Sequence, residues 1–367
     1  MKLGIITFHN AKNYGAYFQT YALTQVLGKL KSKNTDIEVI DYQCKFIDDD
    51  YKPIIDFSSL KRFIVSALSF FPIVIRNLKF NKALKTTVKL SKSYNINTIN
   101  DADVYDCYIA GSDMIWHWHT VKGEEKFDET YFLSFVKDAN KKNSYAASFG
   151  TDLIPNKYRK LYFSNLASFN NISVREKSGQ FFLQDLNRNI NLNLDPTLLV
   201  DNNIWDSLIK NKKKKENYIL VYEVGVLTNR MINYAKMLSK KTGYKVVYLN
   251  SEYNFRNKLK LQNYRFGFSP SDFISYFKFA DYIITNSFHG TVFSILYEKK
   301  FESEIDSWIK NNRSLELMEL LGLEDRILND NSDIDKEIDW NSVKQRLSVE
   351  QNKAYWYLKK VMGKSDE

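Results

Sequence analysis

Residues 281–300 read DYIITNSFHGTVFSILYEKK. A short β-branched apolar run ends in the polar residues Thr285-Asn286-Ser287, a His289-Gly290 pair follows after Phe288, and a second apolar run begins at once. The first run has the length and composition of a buried strand, and the second is a helix opened by Ser287 as its cap. Only four histidines occur in the chain, and one of them stands at this joint. Gly290 lets the backbone approach a ligand just past the strand's carboxyl end. The first N–H groups of the helix there form an anion site, contributing up to about 2 kcal/mol for a well-placed phosphate. An imidazole in that place can change charge near neutral pH and give or take a proton. A histidine that merely caps its own turn would satisfy the same local pattern.

Outward from this unit, strands and helices alternate. Residues 3–8 predict a strand, followed by a polar loop (9–16), a helix of some 15 residues from Tyr17, and a strand at 37–42. Residues 48–100 read as an irregular, partly helical insertion. The alternation resumes with strands at 106–113, 144–150, 171–176 and 191–199. Beyond the polar run 210–217, a strand at 218–224 is followed by a helix with Thr228 as N-cap and Gly243 as C-cap, then a strand at 245–250. Ser269-Pro270-Ser271-Asp272 starts the next helix. This succession predicts an α/β fold with parallel sheets and two Rossmann-like domains, 1–209 and 218–338, joined by a linker at 210–217. Residues 339–367 are expected to form a helix that docks back through Trp340, Val343, Leu347, Trp356 and Leu358. Two such domains enclose a cleft, and ligands collect at the carboxyl ends of strands.

At 367 residues the chain is long enough for two cores, and its apolar and charged fractions (44% and 26%) are those of an ordinary soluble protein. The net charge of +10 suits anionic partners. The lysine excess travels with many Asn, Ile, Tyr and Phe, however, and no dense arginine–aromatic patch points to nucleic acid. Two cysteines, Cys44 and Cys107, exclude a disulfide scaffold and a cysteine zinc site. The first residues enter a strand directly and do not form a signal peptide, so a cytoplasmic location is expected. Residues 63–75, FIVSALSFFPIVI, are apolar and flanked by Lys61, Arg62, Arg76 and Lys79. They are too few to span a bilayer and are interrupted by Pro72. They read either as a buried helix or as one lying on the inner face of the plasma membrane with its cations on anionic headgroups.

Three further segments put chemistry after strands. Arg175 closes the strand 171–176; guanidinium groups hold carboxylates and phosphates in two-point contact, although a salt bridge with Glu176 explains it equally well. In AGSDMIWHWH (110–119), Asp113 offers a base or a sugar-hydroxyl acceptor, and Trp116 and Trp118 offer a platform for a sugar ring or ordinary loop packing. The His117-x-His119 pair lacks a third ligand, so no metal or cofactor is expected. The loop HNAKNYGAYFQ (9–19) has neither GxGxxG nor a Walker A lysine, and it leaves Asn13, Tyr14 and Gln19 as acceptor contacts.

Taken together, GIITFHNAKNYGAYFQTYAL, IAGSDMIW, SYAASFG, ISVREKSG, LDPTLL, ITNSFHGTVFSILYEKKF and SLELMELLGLEDR resemble the polysaccharide pyruvyl transferases, in the same order and over roughly residues 1–330. The resemblance implies a GT-B-like arrangement, phosphoenolpyruvate as donor, and a saccharide or lipid-linked glycan precursor as acceptor in exopolysaccharide or capsule synthesis. It implies that His289 is the general acid or the partner of the leaving phosphate. Arg175, Ser287, Gly290 and, more remotely, Arg313 would lie on the donor side, with Asn13, Tyr14, Gln19, Asp113 and Trp116 on the acceptor side. Some family members carry an arginine directly before the motif histidine, where this chain has Phe288; Lys300 or Arg313 would then supply the missing cation. A glycosyltransferase using a nucleotide sugar on the same scaffold would need an acid after a strand of the second domain, such as Glu223 or Glu252. A non-catalytic glycan-binding member would keep the fold while losing donor cations.

Overall fold

The computed structural model of the protein describes residues 1–32, 34–122, 127–151, 154–210, 216–305 and 312–364. The predicted alternation produces two parallel sheets of the same topology. The first contains β1 (Lys2–Ile6), β2 (Asp36–Tyr42), β3 (Leu90–Tyr94), β4 (Cys107–Ala110) and β5 (Lys142–Ser144), in the order β3-β2-β1-β4-β5. A parallel pair, β6 (Ile172–Val174) and β7 (Ile190–Leu192), continues it through isolated bridges such as Ala147 to Val174. The second contains β8 (Tyr218–Glu223), β9 (Lys245–Asn250), β10 (Tyr264–Arg265), β11 (Tyr282–Thr285) and β12 (Lys300–Ser303), in the order β10-β9-β8-β11-β12. A central first strand with the chain reversing direction beside it is the Rossmann-like pattern, and it leaves a crevice at the carboxyl ends. Loops after β1, β4, β8 and β11 line one cavity, so both crevices open onto it. That is the GT-B-like arrangement.

Local signals hold where the chemistry is strong. Thr228 caps the helix Asn229–Thr242 by accepting from Met231 N, and Gly243 ends it at φ +73°. Ser269 and Asp272 form a reciprocal capping box with Pro270 in the first turn. The expected linker falls largely on residues 211–215, outside the described residues. The closing helix, Trp340–Val361, returns to the first sheet, where Tyr357 Oη donates to Ser144 O at 2.7 Å. Its buried face is Val343, Leu347, Ala354, Tyr357 and Leu358, whereas Trp356 is half exposed.

The insertion 48–100 departs from expectation in three ways. It supplies β3 at the edge of the first sheet. Its helix runs unbroken through Pro72 from Leu60 to Thr87, 28 residues instead of thirteen. It is not a buried helix either, since only Arg76, Phe80 and Leu84 along it are buried.

The core also crosses from one sheet to the other. The helix Tyr14–Leu30, which follows β1, packs its aromatic face on the second half of the chain. Tyr14 stacks on Phe268 (4.5 Å between centroids) and Phe273 (5.1 Å), and Phe18 meets Phe293 at 5.0 Å. One buried cluster includes Leu3, Ile5, Phe18, Trp205, Leu220, Phe273 and Phe293. Aromatic pairs at these distances add to plain area burial.

Candidate functional site

The strand-turn-helix unit at 281–300 forms as its composition dictates. β11 ends at Thr285, Ser287 Oγ accepts from Gly290 N, and the helix runs from Phe288 to Leu296. Gly290 has a packing reason rather than a ligand-facing one: an added Cβ would lie 2.2 Å from Thr285 Oγ1. The helix's first turn, Ser287 to His289, lines a cavity of about 520 Å³ together with Asn13, Gly15, Asp113, His117 and Arg313. Backbone N–H groups in a first turn lack intrahelical acceptors and carry partial positive charge toward such a space.

His289 is held from both sides of the cavity. Its ring presses on Gly15, where a Cβ would stand only 2.2 Å from Nδ1. Its Nε2 lies 3.8 Å from Asp195 Oδ1, within ion-pair reach but too far for a hydrogen bond, and has no hydrogen-bond partner. Asp195 itself is fixed and buried. It receives Arg175 Nη1 at 2.6 Å, Ser112 Oγ at 3.2 Å, Thr197 Oγ1 at 2.7 Å and Thr197 N at 3.0 Å. Burial works to raise this carboxyl's pKa, and the neighbouring His289 and Arg175 more than reverse that, holding it well below the usual carboxylate range.

Arg175 and His289 thus meet on one carboxylate, but not as two free cations. Arg175 lines a smaller cavity of about 70 Å³ behind Phe288, with Asp113 and Glu176 each 3.9 Å from its guanidinium. Its Nε and Nη2 have no hydrogen-bond partner. The cation that reaches the main cavity is Arg313, at the start of the helix Asn312–Leu321. The Phe288 ring lies against both guanidiniums, 5.1 Å from Arg175 and 5.7 Å from Arg313. Burial, with Arg175 nearby, lowers Arg313 to about 10, so it stays charged at neutral pH.

On the opposite wall, Asp113 sits at φ +74°, a conformation few non-glycine residues adopt, with its Oδ1 accepting from Met114 N. His117 also faces the cavity; burial, then His119 and Arg313, lower it to about 4 and keep it neutral. Asn13 lines the cavity while capping its own helix, accepting from Gly15 N and Ala16 N.

Four expected contacts lie elsewhere. Tyr14 turns into the core and donates to Phe268 O. Gln19 is fully buried, donating to Thr7 Oγ1 and Thr20 Oγ1. Trp116 is equally buried, with Nε1 donating to Tyr131 O, so it is packing and not a sugar platform. Lys300 begins β12 and pairs with Asp335 at the amino edge of the sheet, whereas the cavity lies at the carboxyl edge. Sequence pattern alone does not single out Asp195 or Gly15, although both stand inside the motifs LDPTLL and HNAKNYGAYFQ. The available signal is Asp-Pro-Thr, a turn sequence that ends the strand expected at 191–199 early, at Leu192, and lets Asp195 cap the turn that follows. Among the described residues no cluster of three metal-ligating side chains occurs.

Gly15→Ala isolates the histidine's placement. Alanine favours the helix by up to about 1 kcal/mol, yet its methyl must push the imidazole aside. The melting temperature is expected to hold or rise while turnover falls by about 100-fold; unchanged turnover would show that the ring's position is immaterial.

Two Rossmann-like sheets sharing a cavity, with a buried carboxylate, an imidazole and a guanidinium at its wall, define a ligand-binding protein of the two-sheet α/β class. The chain belongs to the polysaccharide pyruvyl transferase family, whose model matches residues 13–301. This is a family of transferases that act on saccharide acceptors. No curated protein matches the chain. Solved structures to which it is similar include S. aureus MnaA with UDP, at 10% identity over 97% of this chain and 90% of that one, TM-score 0.49. Another is the UDP-GlcNAc 2-epimerase from Neisseria meningitidis bound to UDP-GlcNAc, at 10% identity over 98% and 94%, TM-score 0.44. A third is E. coli ADP-heptose LPS heptosyltransferase II, at 10% identity over 96% and 99%, TM-score 0.38.

Proposed function

We propose that this protein transfers a pyruvyl group from phosphoenolpyruvate to two hydroxyls of a saccharide, forming a ketal during cell-surface polysaccharide synthesis. The observation that carries the reading is the His289–Asp195–Arg175 arrangement at the wall of a cavity that also exposes a helix N-terminus and Arg313.

A proton passes from the His289 imidazolium to the methylene carbon of the donor, and positive charge develops at the enol carbon. One acceptor hydroxyl attacks that carbon and loses its proton. The carbon–oxygen bond to phosphate breaks, inorganic phosphate leaves, and the second hydroxyl adds and loses its proton to close the ring. Asp195 stabilises the imidazolium and Arg175 keeps Asp195 ionised in its buried place, so Arg175 acts through the carboxylate. Arg313 and the N–H groups of the 288–296 helix hold the donor's anionic groups; Ser287 sets that helix start. Asp113 and Asn13 face the acceptor. Positioned proton transfer contributes about 100- to 10,000-fold and charge stabilisation a comparable factor.

A nucleotide-sugar transferase would instead lean on Glu223, whose Oε2 is buried without a partner at the end of β8; burial, then Glu252, raise its pKa to about 8. Phosphate release from phosphoenolpyruvate decides between the readings. Release that requires a saccharide from an acceptor panel, with a mass gain of one pyruvyl group, is expected. Turnover of a nucleotide sugar without any release from phosphoenolpyruvate would overturn the pyruvyl reading.

A further inference from the structure

Ten of the twenty exposed large apolar side chains among the described residues fall between Ile54 and Leu78, so the exposure is concentrated rather than scattered. They form a ridge. Leu60, Ile64, Leu68, Phe71, Ile75 and Leu78 recur at steps of three and four along the helix Leu60–Thr87, which puts them in a single stripe. Phe71 is 73% exposed and Leu78 63%. Arg76, Phe80 and Leu84 project from the opposite side and hold the helix to the protein. Monomeric soluble proteins rarely leave a contiguous apolar strip of this length bare.

Charge decides what covers it. Between Leu60 and Thr87 the helix has six Lys and Arg residues and no Asp or Glu. Three of these cations serve the protein: Arg76 lies between the Tyr51 and Phe266 rings, Lys79 donates to Gly267 O, and Arg62 donates to Ser58 Oγ and pairs with Asp56 at 3.7 Å. Lys61, Lys82 and Lys85 remain exposed on the helix that carries the ridge. A second copy of the chain would bring an identical basic strip against this one, and like charges would oppose the contact. An anionic bilayer satisfies both features, burying the apolar stripe at the acyl boundary while the lysines reach headgroups.

We propose that this ridge seats the protein on an anionic membrane surface, with the helix lying in the interface. The helix is long and apolar enough to cross a membrane, but its attachment along the Arg76–Leu84 side sets it parallel to the surface instead. A neighbouring face of the same helix, through Asn77, Asn81 and Lys85, walls a polar cavity of about 630 Å³ that shares Tyr51 with the cavity lined by His289. Seating therefore brings that cavity within about one helix diameter, 10–12 Å, of the headgroups. The proposal does not rest on pyruvyl transfer and survives if phosphoenolpyruvate is not the donor.

Co-sedimentation of the full chain with phosphatidylcholine vesicles, with and without phosphatidylglycerol, tests it, alongside light scattering for oligomeric state. Binding to the phosphatidylglycerol vesicles is expected to exceed binding to neutral ones by about tenfold or more. The variant Leu68→Asp, Phe71→Asp, Ile75→Asp is expected to lose that binding with unchanged melting, because these side chains touch little of the core. Lys61→Glu with Lys82→Glu leaves the apolar stripe intact and is expected to lower affinity for the anionic vesicles by about tenfold. Absence of wild-type binding, or full binding by either variant, overturns the proposal. So does a wild-type dimer that the triple variant converts to monomer while vesicles remain unbound.

Discussion

Replacing His289 with alanine is expected to cut phosphate release from phosphoenolpyruvate by about 100- to 10,000-fold. The imidazole lines the cavity beside a fixed carboxylate, where a positioned proton transfer to the donor can take place. Its removal leaves Asp195 paired with Arg175 at 2.6 Å, so the local fold should persist and the melting temperature move by only a few degrees. Single-turnover measurement with saturating donor separates this loss from weaker binding. A variant that retains turnover within about threefold of the wild type would remove His289 from the chemistry.

Asp195→Ala is expected to act on stability first. It strips Arg175 of its hydrogen-bonded carboxylate in a place where that side chain is only 2% exposed, leaving Asp113 and Glu176 at 3.9 Å as weaker partners. Breaking a buried pair from one side costs about 3–5 kcal/mol, and Thr197 and Ser112 lose an acceptor as well. Urea unfolding should show the loss directly. The double substitution Asp195→Leu with Arg175→Met removes both charges and is expected to recover most of it. If the single variant loses less than about 1 kcal/mol, the pair is not the strut described here.

Much of the frame was legible because it rests on local chemistry. Caps at Thr228 and Ser269, the stop at Gly243 and the apolar runs of β1, β8 and β11 each state their element within a few residues. The insertion was harder. Pro72 argues for a break by local rules, yet the helix continues past it. β3, LSKSY, has too little apolar alternation to announce an edge strand.

The site divides in the same way. His289 and Asp113 follow strands, so strand order alone puts them near the cavity. Side-chain direction is not written in spacing. Gln19 and Tyr14 lie on the helix beside Gly15, yet they turn inward, since a neutral amide and a phenol can be satisfied by core hydroxyls and carbonyls. Lys300 was misplaced because proximity in sequence to His289 hides the helix that carries the chain to the far edge of the sheet. For Arg175 the sequence offers a donor contact or a salt bridge with Glu176, and it hides the true partner, Asp195, which lies twenty residues away and meets it through the pairing of β6 with β7.

The rings of Tyr14, Phe18, Phe268, Phe273 and Phe293 lock the two halves of the molecule together. A swing of one half away from the other would wet all of them, at roughly 25 cal/mol for every square ångström of apolar surface bared. Large clamshell motion is therefore costly for this protein. A ligand of the cavity enters a gap whose width is already set, and what fits there is decided by the loops that line it, not by a hinge.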